Sequence, residues 1–466
     1  MLAMRRIDLR NRPDKERPWP SALDVPRPTF DVRSVLPAAS QLSEAVRERG
    51  DAAVRDARRR YDDVDSTPLR VPADAFESAL ASASPEELSV LEEAEKRLRR
   101  ASQSELRRRT STEMGHGARV VQRNVPIDRA GIYIRRSSSS ALLSVLASVV
   151  PAQVAGVPSI ALAAPPEASS GLPHRRVLAA CGFLGVDEVY AVGGSAAIPM
   201  FTHGTESCRP AKVIAGRGNE RTTAAKWVAA LEVAVDPEGG HGELLVLADR
   251  WSDANFIAAD LVSRAARDPH GSLVLVTPTD WFADDVEKQI ERHLDRTGAR
   301  ESLRAVLASP NSAIVLVDDM EDGIEVVNHY SPQFLEIHSV YAWSYADRIR
   351  NAGAVYVGPF SPVGTAHYRS GPGTVVPAGG WADRSSALSV RTFQRTMHVV
   401  DYTRDALEEN LGVTATWAAL DNRAVDAEAL VTRFEASWAR VRAAIEEEGV
   451  PEGAVPEDYA DAYRYW

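Results

Sequence analysis

Three turns in this chain combine small residues with groups that commonly meet ligands. Tyr133-Ile134-Arg135-Arg136-Ser137, Gly193-Gly194-Ser195 and Gly216-Arg217-Gly218-Asn219 each follow a short β-rich run, and the last two open segments of helical length, 196–203 and 220–232. Small residues there let a ligand approach the backbone, and the amides of a helix start favour an anion. None is a full Gly-x-Gly-x-x-Gly, and a tight strand-to-helix turn explains any one of them equally well. A pair of arginines is the fourth feature. Arg264 lies seven residues after Ile257 and three after Leu261, on the apolar stripe of a helix over 253–268. Arg267 follows one turn later. A cation on a core-facing stripe needs a partner, either a carboxylate such as Asp260, four residues back, or a bound anion.

The elements that would position these groups alternate. β-rich runs at Ala130–Ile134, Ser159–Ala164, Glu188–Val192, Lys212–Ala215, Leu244–Ala248, Ser272–Val276, Ala313–Val317 and Ala354–Val357 are mostly followed by segments of helical length. That alternation predicts α/β architecture, with parallel strands covered by helices on both faces. The strands fall into two groups, 130–219 and 243–360, separated by a glycine-rich crossing at Val235–Gly242. Segments 41–62 and 85–109 read as charged helices, the second with a start at Ser84-Pro85-Glu86-Glu87. The final segment, 388–466, reads as helical and ends in Tyr459, Tyr463, Tyr465 and Trp466, an aromatic packing anchor.

Composition narrows the function. The 466 residues are 44% hydrophobic and 26% charged, ordinary globular values, and the net charge of −11 argues against a nucleic-acid binder. Two cysteines, Cys181 and Cys208, exclude a disulfide scaffold and a four-cysteine zinc site, and both read as inert. The charged N-terminus has no apolar signal core. The uncharged run 137–166 is broken by Pro151, Pro158 and Gln153, and reads as buried helix and strand rather than a membrane span. A cytoplasmic protein with no membrane partner is expected.

Taken together, these segments resemble the histidinol dehydrogenase family over about residues 1–425. The matches run in order: Ala130-Gly131-Ile132-Tyr133-Ile134, then Val150-Pro151-Ala152-Gln153-Val154-Ala155-Gly156-Val157, then Ala191-Val192-Gly193-Gly194. Gly204-Thr205-Glu206-Ser207, Gly218-Asn219 and Glu243 through Asp249 follow, then Phe256 through Leu261, Leu335-Glu336-Ile337, and Gly358-Pro359 through Gly371-Pro372. The resemblance implies two doubly wound, incomplete Rossmann-like sheet domains with helical N- and C-terminal segments. It divides the chain into an N-terminal segment (1–27), a first α/β domain (28–129 plus 242–387), a second on the nucleotide side (130–241) and a C-terminal dimerisation arm (388–466). It also implies a zinc-containing, NAD-using homodimer with a site shared between subunits, which oxidises an amino alcohol to an amino acid in two hydride transfers.

Residue by residue, the chemistry implied by the family is altered. The two metal ligands of its Gln-x-x-His helix align with Arg264 and Arg267, a third ligand aligns with His367, and a fourth with Thr416. A guanidinium has no lone pair for a metal. The family's acid–base pair, Glu-His, aligns with Gln333 and Phe334, neither of which exchanges a proton near neutral pH. Its substrate-holding Ser and His align with Gly242 and Thr374, while cofactor positions Tyr133 and Asn219 match. These replacements place arginines (Arg135, Arg136, Arg217, Arg264, Arg267, Arg369) around one expected cavity. The expectation is therefore a zinc-independent, NAD- or NADP-linked oxidoreductase of a small anionic or amino-acid-like metabolite in a specialised pathway, not of histidinol. His367 and Tyr368 would be catalytic. Tyr133, Asn219, Arg135 and Arg136 would bind the cofactor, and Arg264, Arg267, Gln333 and Thr374 the substrate, with no metal ligand. For Tyr133 and Asn219 a purely structural role is equally open, and His367 reads more readily as a loop histidine without one. The alternatives are a non-redox cyclase, isomerase or lyase, or a non-catalytic ligand-binding homologue.

Overall fold

The computed structural model describes residues 4–11, 25–64, 68–136, 141–236, 239–367 and 375–434. Two parallel sheets dominate. The six-stranded sheet has the order Arg5–Asp8, Ala313–Leu316, Ser272–Thr277, Glu243–Ala248, Phe334–His338, Ala354–Val357. Its register sets Leu245 beside both Val274 and Leu335. Its central strands are nearly continuous apolar runs because both faces are covered. Successive residues serve opposite faces: Leu244 and Val246 enter one core with Ile257 and Leu261, and Leu245 and Leu247 enter another with Ile324 and Val327.

The five-stranded sheet has the order Val189–Ala191, Ile160–Ala164, Ala130–Tyr133, Val213–Ala215, Ala234–Val235, again all parallel. Helices Pro85–Glu105, Ala141–Ala155 and Arg175–Leu184 cover one face, and Leu36–Arg49, Asp51–Asp62, Gly194–His203 and Glu220–Ala229 the other. The helices before residue 106 thus pack on this sheet, not on the six-stranded one with which residues 28–129 were grouped from the sequence. The reason is geometric: their apolar faces meet Val149, Leu178, Ile198 and Phe201. The start at Ser84 is a full capping box, with Ser84 Oγ accepting from the Glu87 amide (3.2 Å) and Glu87 Oε2 from the Ser84 amide (3.3 Å).

A second compact unit comprises 107–125 and the chain from Gln394. Its described part holds a three-stranded sheet in the order Gln394–Tyr402, Ala118–Pro126, Thr110–Gly115, with helices Arg404–Leu420 and Ala424–Val431. The sequence reading had no hairpin here, and it took the region after 388 as helical throughout. Strand Thr110–Gly115 is exposed along its whole length, so it lacks the alternating apolar signal. The aromatic tail lies outside the described residues. The uncharged run contains helix Ala141–Ala155, and no described helix is long and apolar enough to cross a membrane.

Candidate functional site

Helix Ala254–Ala265 and strand Phe334–His338 carry most of the residues at issue. The helix starts at Asp253, whose carboxylate accepts from the Asn255 amide (2.8 Å), and Ile257 and Leu261 hold its inner face against the sheet. Arg264, in its last turn, is 6% exposed. Its Nη2 donates to Gln333 Oε1 (2.9 Å), and its Cζ lies 4.9 Å from the centre of the Phe334 ring. Three positions where the chain departs from the family pattern therefore touch one another. The same Gln333 oxygen accepts from the Glu243 amide (3.1 Å), and Glu243 Oε2 accepts from the Gln333 amide (3.1 Å). Arg27 Nε reaches Glu243 Oε1 at 2.8 Å.

Gly242 belongs to this cluster. A Cβ at that position would stand 2.4 Å from Arg264 Nη2. The loss of a side chain at 242 is thus the space that the arginine fills. Burial, and then the positive charge of Arg217, pull the Arg264 guanidinium down to about 9. Burial and the charge of Arg135 pull Arg217 down to about 10. Arg217 donates to the Gly240 carbonyl. Asp268 and Glu243 supply the opposing negative charge. One partner of Arg264 is thus an amide 69 residues away, aided by an aromatic face. Arg267, half-buried, lies one turn on. Gln333 is fully buried, and the Arg264–Gln333 pair sits at the amino ends of the six-stranded sheet, the opposite edge from the ligand-binding strand ends assumed from the sequence.

The other predicted residues scatter. Tyr133 closes strand Ala130–Tyr133 with its ring against Gly194, and burial pushes its phenol up to about 12. Asn219 caps helix Glu220–Ala229, accepting from the Thr222 amide (3.2 Å), so it has a structural task of its own. Arg135 and Arg136 are exposed, and Arg136 pairs with Asp62 (3.0 Å). Asp62 also accepts the Gly193 amide, so a carboxylate of the chain already occupies the anion position at the start of helix Gly194–His203. His367 ends a short 3-10 turn, but its side chain, like Tyr368, Arg369 and Thr374, lies outside the described residues. Cys181 and Cys208 are buried, and burial pushes both thiols up, Cys208 to about 11.

A constellation the sequence reading missed lies on the same helix and strand. Asp260, Glu336 and His338 bring one carboxylate oxygen each and an imidazole nitrogen within 4.8 Å of one another. Burial, and then the charge of Glu336, raise the Asp260 carboxyl to about 7. The only sequence signal was a Glu and a His two residues apart inside an otherwise apolar strand, where period-two alternation puts both on one face.

The family's zinc meets a poor reception at the positions aligned with its ligands. Arg264 and Arg267 have no lone pair to give, and Arg264 is committed to Gln333. The Thr416 hydroxyl donates to the Gly412 carbonyl (2.9 Å). These three side chains are not ligands of the ion.

Comparison with known proteins sets the ancestry. A family model described as Histidinol dehydrogenase matches residues 25–434. The chain is 44% identical over 405 residues to "Histidinol dehydrogenase" of Thermobifida fusca, covering 87% of this chain and 91% of the relative. It is 42% identical over 438 residues to that of Streptomyces avermitilis, covering 92% and 98%. A crystal structure of histidinol dehydrogenase from Elizabethkingia anophelis superposes with a TM-score of 0.83 at 27% identity, covering 88% of this chain and 94% of that one. Two expectations give way. The expectation of an activity other than histidinol oxidation is overturned by relatives this similar over nearly their whole length, all named for that activity. The expectation that zinc is absent made this chain an exception to a zinc-binding, NAD-dependent family, and it is overturned with the first. Matched by the family model over most of its length and by relatives across nearly all of theirs, the chain belongs to the histidinol dehydrogenase family.

Proposed function

We propose that the chain is an NAD-dependent oxidoreductase acting on histidinol, assembled as a homodimer. The observation that carries this reading is the 42–44% identity to histidinol dehydrogenases over 87–92% of the chain. Tyr133, Asn219 and Arg135 are the proposed cofactor contacts. They lie at or just past the carboxyl ends of the neighbouring strands Ala130–Tyr133 and Val213–Ala215, where α/β sheets take their ligands. Arg136, which pairs with Asp62, stands beside them. Oxidation of an alcohol releases a proton, and Gln333 and Phe334 supply no acceptor for it. Helix Ala254–Ala265 and strand Phe334–His338 also carry Asp260, Glu336 and His338.

The test is reduced-nicotinamide formation by the full chain with L-histidinol and NAD, with Zn²⁺, Mn²⁺ and Co²⁺ each supplied, alongside NAD binding by calorimetry. Turnover dependent on both substrates is expected. Failure to turn over with every metal, together with no NAD binding, overturns the reading.

A further inference from the structure

The cluster on helix Ala254–Ala265 and strand Phe334–His338 has the geometry of a cation site. Ligand atoms about 2.0–2.2 Å from a common zinc-sized ion stand roughly 3–4.4 Å from one another. Here all three lie within 4.8 Å of one another, and Glu336 Oε2 is 3.5 Å from His338 Nε2. That separation is too long for a hydrogen bond. It matches an edge shared by two ligands of one ion.

The buried groups are also left wanting. His338 is 2% exposed, and neither ring nitrogen has a hydrogen-bond partner. Glu336 is fully buried. Its Oε1 accepts from the Val363 amide (2.5 Å), which fixes the carboxylate, while Oε2 has no hydrogen-bond partner. Buried polar atoms are nearly always satisfied, and two such atoms facing each other, Glu336 Oε2 and His338 Nε2, are not explained by packing. A proton shared inside the cluster would satisfy one pair and draw it to hydrogen-bond distance. A cation gives every one of the converging atoms a partner at once. Asp260 is the half-buried member and supplies the side from which an ion enters.

We propose that Asp260, Glu336 and His338 form a divalent transition-metal site, one helical turn before Arg264 on the helix and two and four residues after Phe334 on the strand. Two carboxylates and one imidazole suit Zn²⁺, Mn²⁺, Fe²⁺ or Co²⁺. Three protein ligands leave at least one position for water or substrate, the count of a working rather than a purely structural metal. Unlike the Arg264–Gln333 pair, the set lies toward the carboxyl end of its strand, of which His338 is the last residue. The proposal stands independently of the activity proposed above, because its readout is metal binding alone.

The experiment titrates Co²⁺ into the full chain after chelator stripping, following visible absorption and metal-to-protein ratio. One ion per chain with a ligand-field spectrum is expected. Asp260→Asn should weaken binding at least tenfold, as should Glu336→Gln and His338→Gln. Asp260→Asn is the variant least disturbing to the core, so it keeps the test alive if the buried substitutions fail to fold. A wild-type chain that takes up no Co²⁺ overturns the proposal. So does a folded Asp260→Asn chain that binds as wild type. Loss of binding in His367→Ala with retention in Asp260→Asn assigns the ion to the position inherited from the family, and equally overturns it.

Discussion

Arg264 and Gln333 hold each other in a buried hydrogen bond of 2.9 Å, and a Cβ at residue 242 would stand 2.4 Å from the donating Nη2. An added Cβ at Gly242 would also press on Arg264 Cζ at 3.1 Å and Asp268 Cβ at 3.2 Å. Gly242→Ala should therefore cost about 1–3 kcal/mol, the usual range for overpacking. Arg264→Met, which removes a buried cation while Gln333 keeps the Glu243 amide, should fall within about 1 kcal/mol of wild type. The double variant should recover much of the alanine's cost, a coupling of about 1 kcal/mol or more. Urea unfolding of the four chains measures it, and strict additivity would remove the steric account.

Glu243 collects three donors: Arg27 Nε at 2.8 Å, the Gln333 amide at 3.1 Å and the Gly379 amide at 3.2 Å. Burial raises its carboxyl while these donors oppose the rise. Glu243→Gln keeps the shape but turns an NH₂ toward groups that also donate. The expected loss is about 2–4 kcal/mol, read from the unfolding midpoint at constant m-value. A near-neutral effect would mean that the three donors find other acceptors.

Arg129, itself buried, makes a two-pronged contact to Glu188, at 2.5 Å and 2.8 Å. Burial pushes the Glu188 carboxyl up, but the bonds from Arg129 and Tyr190 outweigh it and hold the group below its ordinary 4.5. A depressed acid pKa gives stability that is present above 4.5 and lost as the pH falls through the folded-state value. Glu188→Gln should lower the melting temperature at neutral pH and flatten its fall in acid. Parallel acid limbs for the two chains would contradict this.

Asn219 was read as a cofactor contact, and it is a helix cap. Asn219→Ala should cost about 1 kcal/mol of stability, and Asn219→Ser, which still caps, much less. If the residue also meets NAD, the serine variant should raise the KM for NAD at an unchanged melting temperature. A KM unmoved in both variants would leave the cap as its whole role.

The parallel strands were legible because each is a short apolar run with no polar face to confuse it, and Ala130–Tyr133, Ser272–Thr277 and Ala354–Val357 fall where the sequence put them. Phe334–His338 was not recognised. Glu336 and His338 break its apolar character, and only the sheet reveals that both are buried. The apolar stripe placed Arg264 in the core correctly. Its partners could not be named, because they stand 69 and 70 residues further along the chain and meet it only through sheet packing. The pairing of Asp260 with Glu336 and His338 is invisible for the same reason.

Gly242 also ties two positions together in any further change of the sequence. A Cβ there stands 2.4 Å from Arg264 Nη2, so a larger residue at 242 has to move the guanidinium from where it now sits. The two positions are therefore coupled, and a larger residue at 242 is accommodated best beside a smaller one at 264.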